Sequence, residues 1–330
     1  MTQSPAHDAS LTIAVPVHER TLWLDRALES AARQADPGVP MDIVVVDDAS
    51  AADVRGYVAR VAEGLPRPIR YLRNEQNLGL CGNWNRCLEL GPGAVVNILH
   101  SDERLDRGAA ARAMAAFRSD RALAMVCSGK GRAGASLAAG EDAVREVMKG
   151  VQPVSSVFLR TSLMDRSRAF DPAFPYFPDL ELFPRLASQF RVRFVNDPPL
   201  ADAEGHSHHH MFRTWEQDDF IDSFAGVRRA GYQLAGDGAA EAEQQARADA
   251  AHACQHILWK SWRGGKRRLA RRYYEVAVRR FGFVPGRAER LLHVAGRVPG
   301  VLAPALAALE LKWKLSNLLG ARASARSAEG

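Results

Sequence analysis

The sequence predicts an α/β fold: a mostly parallel central sheet with helices on both faces, followed by a helical, basic C-terminal extension. Three observations carry this. The first half alternates short, nearly unbroken apolar runs with helical patterns, as expected of strands buried on both faces and joined by crossover helices. Polar clusters follow successive apolar runs, at the strand ends where such sheets bind ligands. From Trp215 onward the pattern is mostly helical and becomes rich in arginine.

The elements follow in order. LTIAVPV (11–17) is a β-branched apolar strand, and LWLDRALESAARQ (22–34) is a helix with Leu24, Ala27, Leu28 and Ala31 on one stripe. MDIVVVDD (41–48) is the second strand, and AADVRGYVARVAEGL the second helix, with Gly64 as its stop. IRYLRN is the third strand. CGNWNRCLEL is a helix closed by GPG, and AVVNILH is the fourth strand. RGAAARAMAAFRSD is helical and LAMVCSG is a strand. Between Lys130 and Val151 the pattern weakens, which predicts a loop or mobile segment. PVSSVFLRTSLM reads as a strand entering a short helix, LELFPRLASQF as a helix disturbed by Pro184, and RVRFVND as a further strand.

Length and composition set bounds. The 330 residues suffice for one large α/β domain with an appendage, or for two domains. Cys81, Cys87, Cys127 and Cys254 have no C-x-x-C spacing, which fits reduced thiols rather than a disulfide framework or zinc site. No signal-peptide pattern opens the chain, and no apolar run approaches the roughly 18–20 residues of a membrane span. A cytoplasmic protein is expected.

The strand-end clusters are His18-Glu19-Arg20, Asp47-Asp48, Asn74 with Asn77, and His100 to Arg104. A dinucleotide fold would place G-x-G-x-x-G after the first strand, where this chain has the glycine-free HERTLW. A P-loop lysine motif is missing too. A receiver-type domain carries its acidic pair on the first strand, not the second. Taken alone, Asp47-Asp48 could equally belong to the capping of the next helix, with Ser50 as the cap.

TIAVPVHER, DIVVVDDAS, RNEQNLGLCGNWN and NILHSDERL, in this order and spacing, resemble a family 2 glycosyltransferase of the Rossmann-like GT-A fold. The resemblance covers about Leu11 to His206. It implies a metal-assisted, inverting transfer from a nucleotide-sugar donor (a UDP-, GDP- or dTDP-sugar). Pro16, Val17 and Glu19 match the segment beside the nucleotide. Asp48 matches the acid that contacts the base, and Arg73, Asn77, Leu78 and Gly79 match the region lining nucleotide and sugar. Asp102 matches the last acid of the D-x-D motif, a ligand of Mn²⁺ or Mg²⁺, and Ser101 lies within that motif. The first D-x-D position is His100, which removes one charge near the diphosphate; Glu103 can offset it. A divalent cation suits this place because it stabilises negative charge on a departing diphosphate, and one or two carboxylates with phosphates and water satisfy it.

The resemblance implies a general base in YFPDLELFPRLA, which matches E-D-x-x-L-x-x-R. Asp179 aligns with the base and Glu181 is the fallback; the competing role for Asp179 is helix capping. EGHSHHH supplies His206, His208, His209 and His210. Adjacent histidines cannot all converge on one ion, and His206 best matches a single family histidine near the diphosphate or metal, with His208 next. Trp84 reads as core, one of Asn83 and Asn85 (Asn83 first) as a sugar or base contact, and Trp215 as a border of the acceptor pocket.

The domain expectation is therefore a transferase domain over 1–212, with its acceptor side at about 151–212, and a helical basic extension over 213–330 with a disordered tail from about 321. Between His256 and Arg290, Lys260, Arg263, Lys266, Arg267, Arg268, Arg271, Arg272, Arg279 and Arg280 interleave with Trp259, Trp262, Tyr273, Tyr274, Phe281 and Phe283. That pattern suits an anionic membrane surface, a helix packed on the main domain, or, less well, nucleic acid. The acceptor is expected to be a glycan, a lipid-linked molecule or a small molecule, within cell-surface or exopolysaccharide synthesis. The rival classes are a sugar-nucleotide-binding protein without catalysis and a basic nucleic-acid-binding α/β protein.

Overall fold

The computed structural model of the chain describes residues 10–19, 21–129, 134, 136–150, 154–202, 214–286 and 289–290. Two compact units divide it, one formed by Met1–Met211 with Asp222–Ala246, the other by Phe212–Ile221 with Arg247–Gly330. The sequence reading drew a single boundary at 212/213; here Asp222–Ala246 returns to the first unit.

The first unit is built on an eight-stranded sheet. Its strands are β1 (Leu11–Val17), β2 (Met41–Asp47), β3 (Arg70–Arg73), β4 (Val95–Ile98), β6 (Leu123–Cys127), β7 (Ser136–Leu137), β8 (Phe158–Arg160) and β9 (Arg191–Phe194). Their order is β3-β2-β1-β4-β8-β6-β9-β7, and β5 (Arg104–Leu105) pairs with β10 (Ala201–Asp202) in a separate ribbon. β3, β2, β1 and β4 are mutually parallel. β8 runs antiparallel to both its neighbours, β4 and β6, so the sheet is mixed beyond β4.

Alternate residues of the inner strands enter two cores. Ile13, Val15, Ile43 and Val45 face α1 (Leu24–Ala32), α2 (Val54–Ala62) and α4 (Ala109–Ser119). Ala14, Val44 and Val46 face α3 (Gly79–Leu90), α5 (Glu141–Met148) and α6 (Pro178–Gln189). Both faces are covered, which is why these strands read as continuous apolar runs rather than alternating ones.

The loop expected between Lys130 and Val151 is corrected: β7 and α5 lie there. α5 has eight residues and shows the core only Ala143, Val144 and Val147 besides Glu146, too few turns for a clear helical period. The disturbance expected at Pro184 does not end α6, which runs through it to Gln189 with Pro178 in its first turn. There Pro178 forfeits nothing, since a first-turn N–H has no helical partner.

Three more helices follow: α7 (Phe220–Leu234), α8 (Ala239–Arg263) and α9 (Arg267–Phe281). Within the second unit α9 buries Leu269, Ala270, Tyr273 and Ala277. The Tyr273 hydroxyl donates to the Trp215 carbonyl at 2.9 Å, and Arg272 donates to the Glu216 and Gln217 carbonyls. Among the described residues no helix is long and apolar enough to cross a membrane. All four cysteines are buried free thiols.

Candidate active site

β1, β2, β3 and β4 end along one edge of the sheet, and the polar clusters gather there. Pro16 sits inside β1, where a missing N–H would ordinarily break a ladder. It is tolerated because β4 pairs β1 only as far as Ala14, leaving Pro16 beyond that side's ladder.

Asp47 and Asp48 divide the work at the end of β2. Asp47 is fully buried. It accepts from the Ser50 N–H at 3.0 Å and hydroxyl at 2.5 Å, from the Tyr71 hydroxyl at 2.5 Å and from Arg73 at 2.7 Å. Burial alone would raise its pKa, but the bonds from Ser50, Tyr71 and Arg73 outweigh that and hold it below the ordinary aspartate value. Ser50 thus serves Asp47 instead of capping α2; the cap is Asp53, which accepts from Gly56 N–H at 2.8 Å. Arg73, expected along the nucleotide, has its guanidinium bonded to Asp47 and to the Ser50 carbonyl.

Asp48 is also buried. One of its oxygens accepts from Asn74 at 2.9 Å and from the Leu78 N–H at 2.8 Å. Asn74 donates in turn to Asn83, which is buried and donates to the Val46 carbonyl. Asn83 therefore supports Asp48 from behind. Asn85 is likewise structural, exchanging two bonds with the backbone of Phe170.

The β1 and β2 loops are clamped together. Glu19 adopts a left-handed φ of 58°, donates its N–H to Ser50 and accepts from the Ala51 and Ala52 N–H groups. Those two backbone donors lower its pKa. His18 bridges to the next loop. Its Nδ1 lies 2.9 Å from the Asp48 carbonyl and its Nε2 3.0 Å from the Asn77 amide. Asn77 Oδ1 accepts from Gly79 N–H at 2.7 Å, so its NH₂ faces His18 and the imidazole is the neutral Nδ1–H tautomer. Gly79 opens α3 at a φ of 70°, a region that suits glycine. Val17, one residue before His18, is buried.

The burst of charge after β4 forms a turn. His100 donates its N–H to Ser155 Oγ at 2.8 Å, and its ring lies 5.0 Å from that of Trp84. Trp84 is core, packed edge-on against Phe170. Glu103 accepts from the Ser155 N–H and lies 3.8 Å from His100 Nδ1. Among the described residues His100 Nε2 is buried without a hydrogen-bond partner. Ser101 and Asp102 are half-buried in the same turn.

Asp179 stands in the first turn of α6, half-buried. Its pKa is raised by burial, against the lowering effect of its own N–H, that of Leu180 and the His100 ring, with Glu103 adding a small rise. The helix thus brings this carboxyl within electrostatic range of the β4 turn. Glu181 is otherwise engaged: both its oxygens bond Arg185, at 2.6 and 2.9 Å, and Arg185 also donates to the Ala169 carbonyl. Its geometry is that of a brace. His206 and His208 lie outside the described residues. Trp215 is buried in the second unit.

The sequence reading did not place Tyr71 or Ser155 in the site. Ser155 is buried at the start of a 3₁₀ turn (Val154–Ser156) and, through three bonds, serves His100, Glu103 and Asn97. A serine at the start of PVSSVFLRTSLM, read as a strand, carries no local signal for that. Among the described residues no three metal-ligating side chains converge. The donors on hand are the Asp102 carboxylate and the unpartnered His100 nitrogen, which fits a cation that brings phosphate oxygens and water with it.

A buried acid at the second strand end, a charged turn at the fourth and a carboxyl at the start of a facing helix thus lie toward one edge of the sheet. Residues 12–140 match the family described as Glycosyl transferase family 2. Solved structures agree on the GT-A fold. S. aureus TarS 1-349 in complex with UDP-GlcNAc superposes with a TM-score of 0.55 at 17% identity, covering 87% of both chains. Its complex with UDP gives 0.53 at 18% identity, with the same coverage. An uncharacterized protein of Mycobacterium tuberculosis (strain CDC 1551 / Oshkosh) is 39% identical over 100 residues, which is 30% of this chain and 30% of that protein's length.

Proposed function

We propose that the protein transfers a sugar from a nucleotide-sugar donor to an acceptor hydroxyl with inversion. The observation that carries this is the placement of Asp179: a carboxyl on a helix facing the charged β4 turn, its pKa raised by burial, which makes it a stronger base for an acceptor hydroxyl proton. Asp48, with one oxygen held by Asn74 and Leu78, receives the N–H edge of the base. The His18–Asn77 bridge and Glu19 shape the wall beside the nucleotide.

In this reading Asp179 takes the acceptor proton as the acceptor oxygen attacks the anomeric carbon from the face opposite the diphosphate. The anomeric C–O bond breaks and the nucleoside diphosphate departs with the electron pair. Asp102, with His100 Nε2, would hold a divalent metal, Mn²⁺ or Mg²⁺. When bound, the metal stabilises negative charge on the leaving group. Cell-surface or exopolysaccharide assembly, with a peripheral position on the inner membrane face through the arginine-rich α9, completes the proposal.

Thermal-shift titration with UDP, GDP and dTDP, each with and without Mn²⁺, tests it. One nucleotide should stabilise the protein in a metal-dependent way, and Asp102→Ala should abolish the metal dependence. No shift with any of the three would sink the reading.

A further inference from the structure

Within the second unit, α9 carries one strongly charged face. Between Asp249 and Glu275 the chain has no acidic residue, while seven Lys and Arg residues fall there, from Lys260 to Arg272. Leu269, Ala270, Tyr273 and Ala277 of α9 are buried. The helical period puts Arg267, Arg268, Arg271 and Arg279 on the opposite side, and all four are exposed. At the helical rise they span roughly 18 Å. Glu275 is the one acid in α9, and it lies 3.9 Å from Arg271.

The charge is also placed against local stability. Lys266, Arg267 and Arg268 open the helix, with no acid in its first turn and no side-chain cap. That end is the positive end of the helix dipole, where acids stabilise and cations do not. Like charges crowded there gain from an external anion.

We propose that this arginine face adsorbs on an anionic bilayer, α9 lying along the headgroups without inserting an apolar helix face. The proposal rests on the peripheral position given above and states how the contact is made. Helices of the inserting kind bury their apolar face in the lipid. α9 has none to offer, because Leu269, Tyr273 and Ala277 are already covered by protein. What remains is the attraction of clustered cations to anionic headgroups. Val284, three residues past the helix, is 84% exposed. Beside headgroups that side chain gains an apolar contact, and beside a phosphate backbone it gains nothing, so the bilayer is favoured over nucleic acid.

The test uses the full chain in flotation with vesicles of POPC alone and of equal parts POPC and POPG. The POPG vesicles should carry the protein at about 0.05 M NaCl and release most of it at about 0.5 M; POPC alone should carry little. Each cation near such a surface contributes roughly fivefold in affinity, so Arg267→Gln, Arg268→Gln and Arg271→Gln combined should weaken binding roughly 100-fold. Nucleotide stabilisation with Mn²⁺ should be unchanged in that variant. Should it fail to fold, Arg268→Gln with Arg279→Gln serves, with a loss of roughly 25-fold.

Binding that persists at high salt, or that the arginine variants leave unchanged, would overturn the charge-borne contact while the peripheral position stands. Binding to neither vesicle would sink both, and retention by duplex DNA in that case would assign the face to nucleic acid. If the vesicle results hold but no nucleotide stabilises the protein, the transferase reading falls and the arginine face stands.

Discussion

Asp47→Asn probes the scaffold beneath the nucleotide end of the site. The substitution keeps the side chain's shape but replaces an acceptor of four hydrogen bonds with an amide. Its oxygen can still serve the Ser50 N–H and hydroxyl, while its NH₂ meets the Tyr71 hydroxyl and the Arg73 guanidinium. A hydrogen bond to a charged group contributes about 1.5–3 kcal/mol. The Tyr71 bond, made to a fully buried carboxylate, is lost near that value. The Arg73 side chain is 43% exposed, so its bond is discounted to the ~0–1 kcal/mol of a solvent-screened pair.

The expected loss is about 2–4 kcal/mol, which at roughly 2–4 °C per kcal/mol for a unit of this size lowers Tm by about 4–16 °C. Acid conditions supply a second readout. Asp47's folded-state pKa lies below its unfolded value, so the unfolded chain takes up the proton more readily. Its stabilising contribution is complete above the ordinary aspartate range and is lost as pH falls through the lowered folded value. The wild type should weaken over that window and Asp47→Asn should not, so the gap between them narrows in acid. Thermal denaturation followed by circular dichroism at neutral and acid pH measures both effects. A Tm within about 2 °C of wild type at neutral pH, or a gap that stays constant into acid, would refute the reasoning.

Two further outcomes follow. Asp179→Asn should cost about 10²–10⁴ in turnover yet raise Tm at neutral pH: the folded-state pKa of Asp179 is above the unfolded value, so wild-type stability falls as pH rises between the two, and the variant is spared that; in acid the two melting curves should converge, and a variant less stable at neutral pH would contradict the raised pKa. Ala49 carries a φ of 58° between the two aspartates and the Ser50 anchor, so Ala49→Gly should relieve about 1 kcal/mol of backbone strain, partly offset by glycine's unfolded-state entropy, and leave nucleotide stabilisation unchanged; a clear fall in Tm would count against that strain.

Much of the framework was legible because β1, β2 and β4 are buried on both faces, and such strands leave unbroken apolar runs. α1 was equally plain, with Leu24, Leu28 and Ala31 on one stripe. α5 was not, being eight residues long, and neither was the reversed direction of β8, since three residues of a strand do not reveal which way they pair. The strand-end clusters do gather along one edge of the sheet, the end of β1, β2, β3 and β4.

What composition could not distinguish was which member of each cluster faces inward. Asp47 and Asp48 are adjacent and alike, yet Asp47 is consumed by Ser50, Tyr71 and Arg73 while Asp48 is held through only one oxygen by Asn74 and Leu78. Asn83 reads as a ligand contact in the sequence, and only its bond to Asn74 reveals the supporting role. Glu181 resembled a spare base until Arg185, one helical turn on, was seen to occupy both its oxygens.

The position of β8 bears on how this domain can be cut. The family match ends at residue 140, but β8, at 158–160, is the rib between β4 and β6 in the middle of the sheet. A fragment stopping at the end of the match would lack that rib and β9 as well, leaving β4 with a raw edge and β6 with no partner on either side, each edge a template for pairing with another chain. The segment that carries the family's signature is thus unable to close its own sheet, and any excised or shuffled version must bring the stretch through β9 with it to remain soluble.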